Sequence, residues 1–269
     1  MSEYPMPDSF SPDCPLVTAV MPSPRFGERR GPGGPDAIVL HYTGLPSLTE
    51  ALACLAGPEG TVSCHYVVEE SGRVLQLVPE HSRAWHAGES IWAGDTDVNS
   101  RSIGIEIANP GHDFGCPDFP QAQIDAVIAL CRDIIARRAI RPDRVLGHSD
   151  VAPVRKRDPG EKFPWAALAA AGVGLWVPPA PPADGRFIVR GERGLPVEAL
   201  QALLALYGYG LDITGLFDET TEAVVAAFQR HFRPARVDGV ADVSTVTTLR
   251  DLIAARDASL NASRASPRV

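Results

Sequence analysis

The chain has 269 residues, 45% of them apolar and 22% charged, the balance of a soluble globular protein with room for one good core and a smaller second domain. A formal net charge of −8 and a pI near 5.4 exclude nucleic acid as the main partner, because phosphate binding needs concentrated lysine and arginine. No run approaches the roughly 18 apolar residues of a membrane span. The opening MSEYPMPDSFSPDCPL lacks a basic segment followed by a long apolar stretch, and Arg29-Arg30 runs into GPGGPD rather than a twin-arginine signal. The five cysteines, at 14, 54, 64, 116 and 131, form no CxxC pair and fit a reducing compartment. A cytoplasmic location is therefore expected, with the periplasm as the alternative.

In chain order, AIVLHYT (37–43) is a short β-branched run of the kind that fills a buried strand, and it ends on His41. CHYVVEESGRVLQLVP (64–79) reads as a hairpin turning at Ser71-Gly72, and RSIGIEIAN (101–109) as a second buried strand carrying Glu106. PQAQIDAVIALCRDIIARR (120–138) places Ile124, Val127, Ile128, Cys131, Ile134 and Ile135 on one helical stripe, with Pro120 suited to the first turn. Then come RVLGHSD with His148, the loop VAPVRKRDPGEKF, and a short helix at AALAAAG. Strands alternating with helices predict an α/β domain built on a mixed central β-sheet flanked by helices.

The segment WVPPAPPADGRF, with Pro178, Pro179, Pro181 and Pro182, favours extended polyproline and reads as a semi-rigid joint. The expected division is a catalytic domain at 1–176 with its core at 36–166, a linker at 177–186, a three-helix module at 187–256 and a flexible tail at 257–269. In the module, helices are expected at 197–208, 218–232 and 242–256. Two segments share the spacing G-x-x-D-x-x-T, namely Gly215-Asp218-Thr221 and Gly239-Asp242-Thr245. Each glycine permits a tight turn, and each aspartate can cap the helix that follows.

His41, His148 and Asp158 together read as a zinc site: two neutral imidazoles and one carboxylate leave a fourth tetrahedral position open for water. Glu106 can share a face with His41 and serve as general base, then as proton donor to a leaving amine. Asp158 precedes a proline and is pushed toward extended backbone, so Lys156 should face the site with it while Arg157 points away. A lysine there can stabilise an oxyanion. Taken singly, each position has a bland alternative, a satisfied core histidine or a salt-bridged glutamate, and the bland reading is kept for His65, His81, His112 and His231.

The order VLHYT, SCHYVVEESGRVLQLVPE, RAWHAGES, NSRSIGIEIANPGH and GHSDVAPVRKRDPG resembles the zinc-dependent N-acetylmuramoyl-L-alanine amidases of type 2, the AmpD/AmiD-like branch related to peptidoglycan recognition proteins. The resemblance implies ligation of one Zn²⁺ per chain by His41, His148 and Asp158, with Glu106 and Lys156 catalytic. It further implies hydrolysis of the amide between the lactyl group of N-acetylmuramic acid, anhydro or not, and L-alanine of the stem peptide. Trp85 and His86 lie where the family lines its substrate cleft, either to stack on sugar or bond the peptide, or as a packed tryptophan beside a hydrogen-bonded histidine. Asn109 is either a peptide-contacting amide or a turn former. Phage-type and recognition-protein members of the wider superfamily often carry tyrosine before the second-strand histidine, where this chain has Cys64, here a buried small hydrophobe that leaves Glu106 to do the acid–base chemistry. Residues 187–254 resemble a peptidoglycan-binding domain of the PG_binding_1 type, with Ala241 where a second glycine is common. The implied partners are muropeptides and, through the module, the intact sacculus; a monomer is expected. The alternatives are a noncatalytic muropeptide-binding protein on the same fold and a module that only braces the enzyme.

Overall fold

A six-stranded mixed sheet carries the first domain. In the computed structural model, which describes residues 9–265, the strands are β1 (Val17–Val20), β2 (Phe26–Glu28), β3 (Ala37–Tyr42), β4 (Tyr66–Val68), β5 (Val74–Gln76), β6 (Ser82–Ala84), β7 (Ser102–Ile107) and β8 (Val145–Gly147). The main sheet runs β1-β5-β4-β7-β3-β8, and β2 pairs with β6 in a separate antiparallel ribbon. The 64–79 hairpin forms as β4 and β5, the one antiparallel pair in the main sheet, closed by Gly72 at φ 85°. Because β1 forms an edge of the sheet, the catalytic core begins upstream of residue 36, earlier than expected.

The helices are α1 (Leu48–Ala56), α2 (Val98–Arg101), α3 (Gln121–Arg138), α4 (His148–Val151), α5 (Trp165–Ala170), α6 (Leu195–Tyr207), α7 (Glu219–Phe232) and α8 (Val243–Ala265). Strand alternation sorts the core. On one face Ile38, Leu40, Ile103, Ile105 and Ile107 pack against Ile124, Val127, Leu130, Cys131 and Ile134 of α3. On the other, Val67 and Leu75 lie under Leu48, Leu52 and Leu55 of α1. Pro120 takes the N-cap position, one residue before the first turn of α3. Among the described residues no helix is long and apolar enough to cross a membrane, and all five cysteines are free.

The C-terminal module is built as two similar halves. Asp218 caps α7 by accepting from the Thr221 backbone N–H at 2.8 Å, and Asp242 does the same for Thr245 at 2.7 Å. A glutamine braces each turn: Gln201 Oε1 accepts from the N–H groups of Thr214 and Gly215, and Gln229 Oε1 from those of Asp238 and Gly239. Ala241 is buried and pairs its backbone with Ile188, so the departure from glycine is absorbed without loss of the turn. Helix α6 starts at Leu195, two residues before the expected 197, because Pro196 suits its first turn.

Two expectations are corrected. The tail expected from 257 is helical to Ala265, as a continuation of α8, and residues 266–269 lie outside the described residues. The proline segment does not span open space. Ala180 is bonded through both backbone groups to Thr248 and Ser244 of α8, and Leu175, Trp176 and Val177 pack against the module's core. That core is continuous with the first domain, since Val39, Ala87, Trp92, Leu146 and Val151 belong to the same buried cluster as Leu204, Tyr207, Tyr209 and Phe228.

Candidate active site

β3, β7 and β8 are parallel, so their carboxyl ends share one edge of the sheet, the edge where open α/β sheets build their sites. His41 stands near the end of β3 and is paired in register with Glu106 on β7, which places the two side chains side by side as the sequence suggests. His148 is the first residue of α4, directly after β8. Asp158 is brought in by its own backbone, whose carbonyl accepts from the Ser149 N–H at 2.9 Å. Gly147 makes this approach feasible, because a Cβ there would lie 2.9 Å from Pro159 and 3.3 Å from Trp165.

The three side chains converge. His41 Nδ1 lies 2.9 Å from His148 Nδ1 and 3.1 Å from Asp158 Oδ2, and His148 Nδ1 lies 3.0 Å from the same oxygen. All three residues are buried, and together they could hold a metal ion. Burial, and then the neighbouring His148, push His41 down to about 4 against the opposing pull of Asp158, so the ring is neutral with a lone pair free. For Asp158, burial favours the acid form, but the two imidazoles outweigh it and hold the carboxylate well below its usual range.

With each Nδ1 turned to the cluster, the far nitrogens carry the protons and are anchored. His41 Nε2 donates to His86 Nδ1 at 3.1 Å, His86 Nε2 to Ser102 Oγ at 3.2 Å, and Ser102 to the Val98 carbonyl at 2.6 Å. His148 Nε2 donates to the Ala87 carbonyl at 3.1 Å. Room for the His86 ring exists because β7 carries glycine at 104, where a Cβ would come within 2.3 Å of the ring. A glycine inside a strand signals such close approach, and that signal was present in RSIGIEIAN.

Glu106 projects into the cleft with Oε2 enclosed and without a hydrogen-bond partner. Burial, and then Asp158, raise its pKa well above the usual carboxylate value, with Lys156 opposing. The cleft, about 330 Å³, is lined by Glu106, His86, His148, Lys156 and Asp158, with Tyr42, His112 and Arg157 at its rim. Lys156 is thus placed as expected, but Arg157 does not turn wholly away: it borders the cleft and pairs with Asp113 at 2.7 Å.

His86 lines the cleft but is 7% exposed, and both its nitrogens are engaged behind His41. Trp85 is half-buried, bonded through its backbone to Ser63 of the cleft wall, and is not itself among the lining residues. Both ends of the Asn109 amide are taken within its own loop, by the Pro117 carbonyl and the Gly111 N–H, which is the turn-forming arrangement. Of the histidines kept as ordinary, His65 accepts from the Gly104 N–H at 2.9 Å and donates to the Ser82 carbonyl at 3.1 Å, while His81 is exposed. His112 has more to do than expected: Tyr42 donates to its Nδ1 at 2.9 Å and its Nε2 donates to Glu161 at 3.0 Å. Cys64 is buried in the apolar cluster under α1. A larger depression, about 710 Å³, lies near the amino ends of β3, β7 and β8, where Arg101 and Arg144 are both paired with Asp36.

Residues 31–161 match the N-acetylmuramoyl-L-alanine amidase family Amidase_2, and residues 193–249 match the putative peptidoglycan binding domain PG_binding_1. The N-acetylmuramoyl-L-alanine amidase AmiD of Escherichia coli is 40% identical over 221 residues, covering 77% of this chain and 78% of that one. The chain belongs to the N-acetylmuramoyl-L-alanine amidase family. The 1,6-anhydro-N-acetylmuramyl-L-alanine amidase AmpD of Escherichia coli is 32% identical to this amidase over 163 residues, 54% of this chain and 87% of that one. Among solved structures, E. coli AmiD in complex with anhydro-N-acetylmuramic acid-L-Ala-D-γ-Glu-L-Lys superposes with a TM-score of 0.70 at 37% identity, covering 84% of the amidase and 93% of AmiD. AmpDh3 of Pseudomonas aeruginosa in complex with anhydromuramic pentapeptide gives 0.69 at 33% identity, covering 83% and 93%.

Proposed function

We propose that this amidase hydrolyses the amide between the lactyl group of N-acetylmuramic acid, in its anhydro form or not, and L-alanine of the stem peptide, using one zinc ion. The observation that carries the proposal is the buried His41-His148-Asp158 cluster with Glu106 in register beside His41. Two imidazoles and a carboxylate are a donor set that zinc takes in hydrolases. Separations of 2.9–3.1 Å are close to the roughly 3.3 Å edge of a tetrahedron with zinc–ligand bonds of about 2.0–2.1 Å. A zinc ion held there supplies Lewis acidity toward the scissile carbonyl and the attacking water.

Glu106, with one oxygen enclosed and unpartnered, takes a proton from the attacking water and returns it to the alanine nitrogen as the amide breaks. Lys156, in the same cleft, offers its ammonium to the oxyanion. Arg155, Lys156 and Arg157 place three basic groups along a cleft that must accept a stem peptide carrying free carboxylates, although Arg157 is already paired with Asp113. A noncatalytic recognition protein has no need of the enclosed, unpartnered Glu106 oxygen. We extend the proposal to the module, which would bind polymeric peptidoglycan as its family match suggests, the whole acting as a monomer.

Incubation with defined muropeptides, with and without the anhydro ring, should release free L-Ala-peptides detectable by mass spectrometry. Chelation should abolish that release and added Zn²⁺ should restore it, with elemental analysis giving one zinc per chain. Full activity in metal-free protein would overturn the mechanism. Sedimentation of the intact chain with purified sacculi tests the module.

A further inference from the structure

Asp150 lies two residues beyond His148 and is fully buried, yet none of its three hydrogen bonds goes to the catalytic cluster. Oδ2 accepts from the Gly147 N–H at 2.7 Å, closing the turn that presents His148. The other two donors come from the C-terminal module: Tyr209 donates to Oδ1 at 2.8 Å, and His231 Nδ1 donates to Oδ2 at 2.7 Å. Tyr209 and His231 are themselves 3% exposed. The His231 ring also stacks on Trp165, centroids 3.7 Å apart, and Trp165 packs beside Gly147.

The module holds a second support of the same ligand. His148 Nε2 donates to the Ala87 carbonyl, and the loop after Ala87 is tied down from the module side. Trp92 packs edge-on against Tyr207 and Tyr209, and the Ala93 N–H donates to the Gly208 carbonyl at 2.7 Å. Both the backbone that carries His148 and the carbonyl that orients its ring are therefore braced by residues 207–231.

A joint that served only to hold two domains together would be stable with apolar contacts alone, since a buried carboxylate must recover a desolvation cost of several kcal/mol. In some proteins buried polar groups of this kind fix geometry rather than add stability, and partners outside the first ligands tune metal affinity. We propose that Tyr209 and His231 are positioning residues for the metal site, so that the module, through Asp150, sets the geometry of the His148 turn relative to Asp158. This inference rests on the metal role proposed for His148.

The test uses the full-length chain as Tyr209→Phe, which removes one hydroxyl, and as His231→Phe, which keeps a ring on Trp165 but removes the donor. Leu249→Ala, in the module core and not a partner of Asp150, serves as the stability control. Zinc affinity is measured by competition with a chromophoric chelator, and melting temperature is measured with and without zinc. Each clamp variant should bind zinc roughly tenfold more weakly, the low end of the range for partners beyond the first ligands. The melting-temperature gain on zinc addition should shrink in parallel, and the visible spectrum of the Co²⁺-substituted protein should shift. Leu249→Ala should melt lower yet bind zinc as wild type does. Clamp variants that melt lower but keep wild-type affinity, zinc-induced gain and Co²⁺ spectrum would overturn the inference while leaving the metal site intact. A wild-type chain that takes up no zinc would overturn the metal reading, and this inference with it.

Discussion

Two glutamates in this fold, Glu106 half-buried in the cleft and Glu80 fully buried, are held in opposite protonation tendencies by their surroundings. Glu106 sits among burial and a neighbouring carboxylate, both of which favour the acid form. Glu106→Gln should keep the fold and the metal but lower kcat by about 10²–10⁴, the usual loss when a general base is removed. Loss of zinc in that variant would make it a ligand instead. Lys156→Ala should lower kcat by roughly 10²–10³ with little effect on stability, as other oxyanion donors do. Glu80 is the counterpart: burial favours its acid form too, but Arg137, Tyr66 and Arg138 outweigh that and hold it at about 2. Because its folded pKa is depressed, its contribution is fully present above the unfolded value near 4.5 and is lost as pH falls from there through 2. The shift corresponds to about 3 kcal/mol. Denaturant titrations between pH 5 and 2 should show the stability of Glu80→Gln falling less steeply with acid than that of wild type, Glu161 and Asp158 supplying part of the remaining slope.

At the scale of elements, the long periodic segments and the strands bearing His41 and Glu106 were legible because apolar spacing is local information. β1, β2, β6 and β8 are only three or four residues long, too short to show a period, and their pairing is decided by the rest of the sheet. The half-repeat in the module was visible as G-x-x-D-x-x-T, but its bracing glutamines were not, since Gln201 precedes Gly215 by fourteen residues and Gln229 precedes Gly239 by ten. The His41-His148-Asp158 cluster was readable from residue types, while the chain from His41 through His86 to Ser102 needed the β7 register to appear. Gln229 also donates to the Val240 carbonyl and Thr245 Oγ1, so Gln229→Leu would leave the Asp238 and Gly239 N–H groups without their acceptor, while the Val240 carbonyl keeps the Asp242 N–H. At about 1–3 kcal/mol for each buried group left unpaired, partly relieved by water, a loss of roughly 2–4 kcal/mol is expected in chemical denaturation.

For the molecule as a whole, the decisive question is whether the two domains can be separated. A proline-rich joint invites the expectation that residues 1–178 work alone, since every proposed ligand and catalytic residue precedes it. The packing argues otherwise: Trp92 is 3% exposed and packs edge-on against Tyr207 and Tyr209, and Val39, Leu146 and Val151 belong to the cluster that the module completes. Removing the module would expose this face and leave Asp150 with one of its three donors. Each large apolar side chain returned to water costs about 1.5–3 kcal/mol, and a handful of them is comparable to the whole stability of a domain. The truncation 1–178 should therefore unfold at markedly lower temperature and lose activity on soluble muropeptides as well as on sacculi. In the intact chain, Trp92→Ala should cost about 3–5 kcal/mol. A truncated enzyme that melted like the full chain and lost only its activity on sacculi would show that the joint is a tether after all, with the module raising local concentration at the wall rather than completing the enzyme.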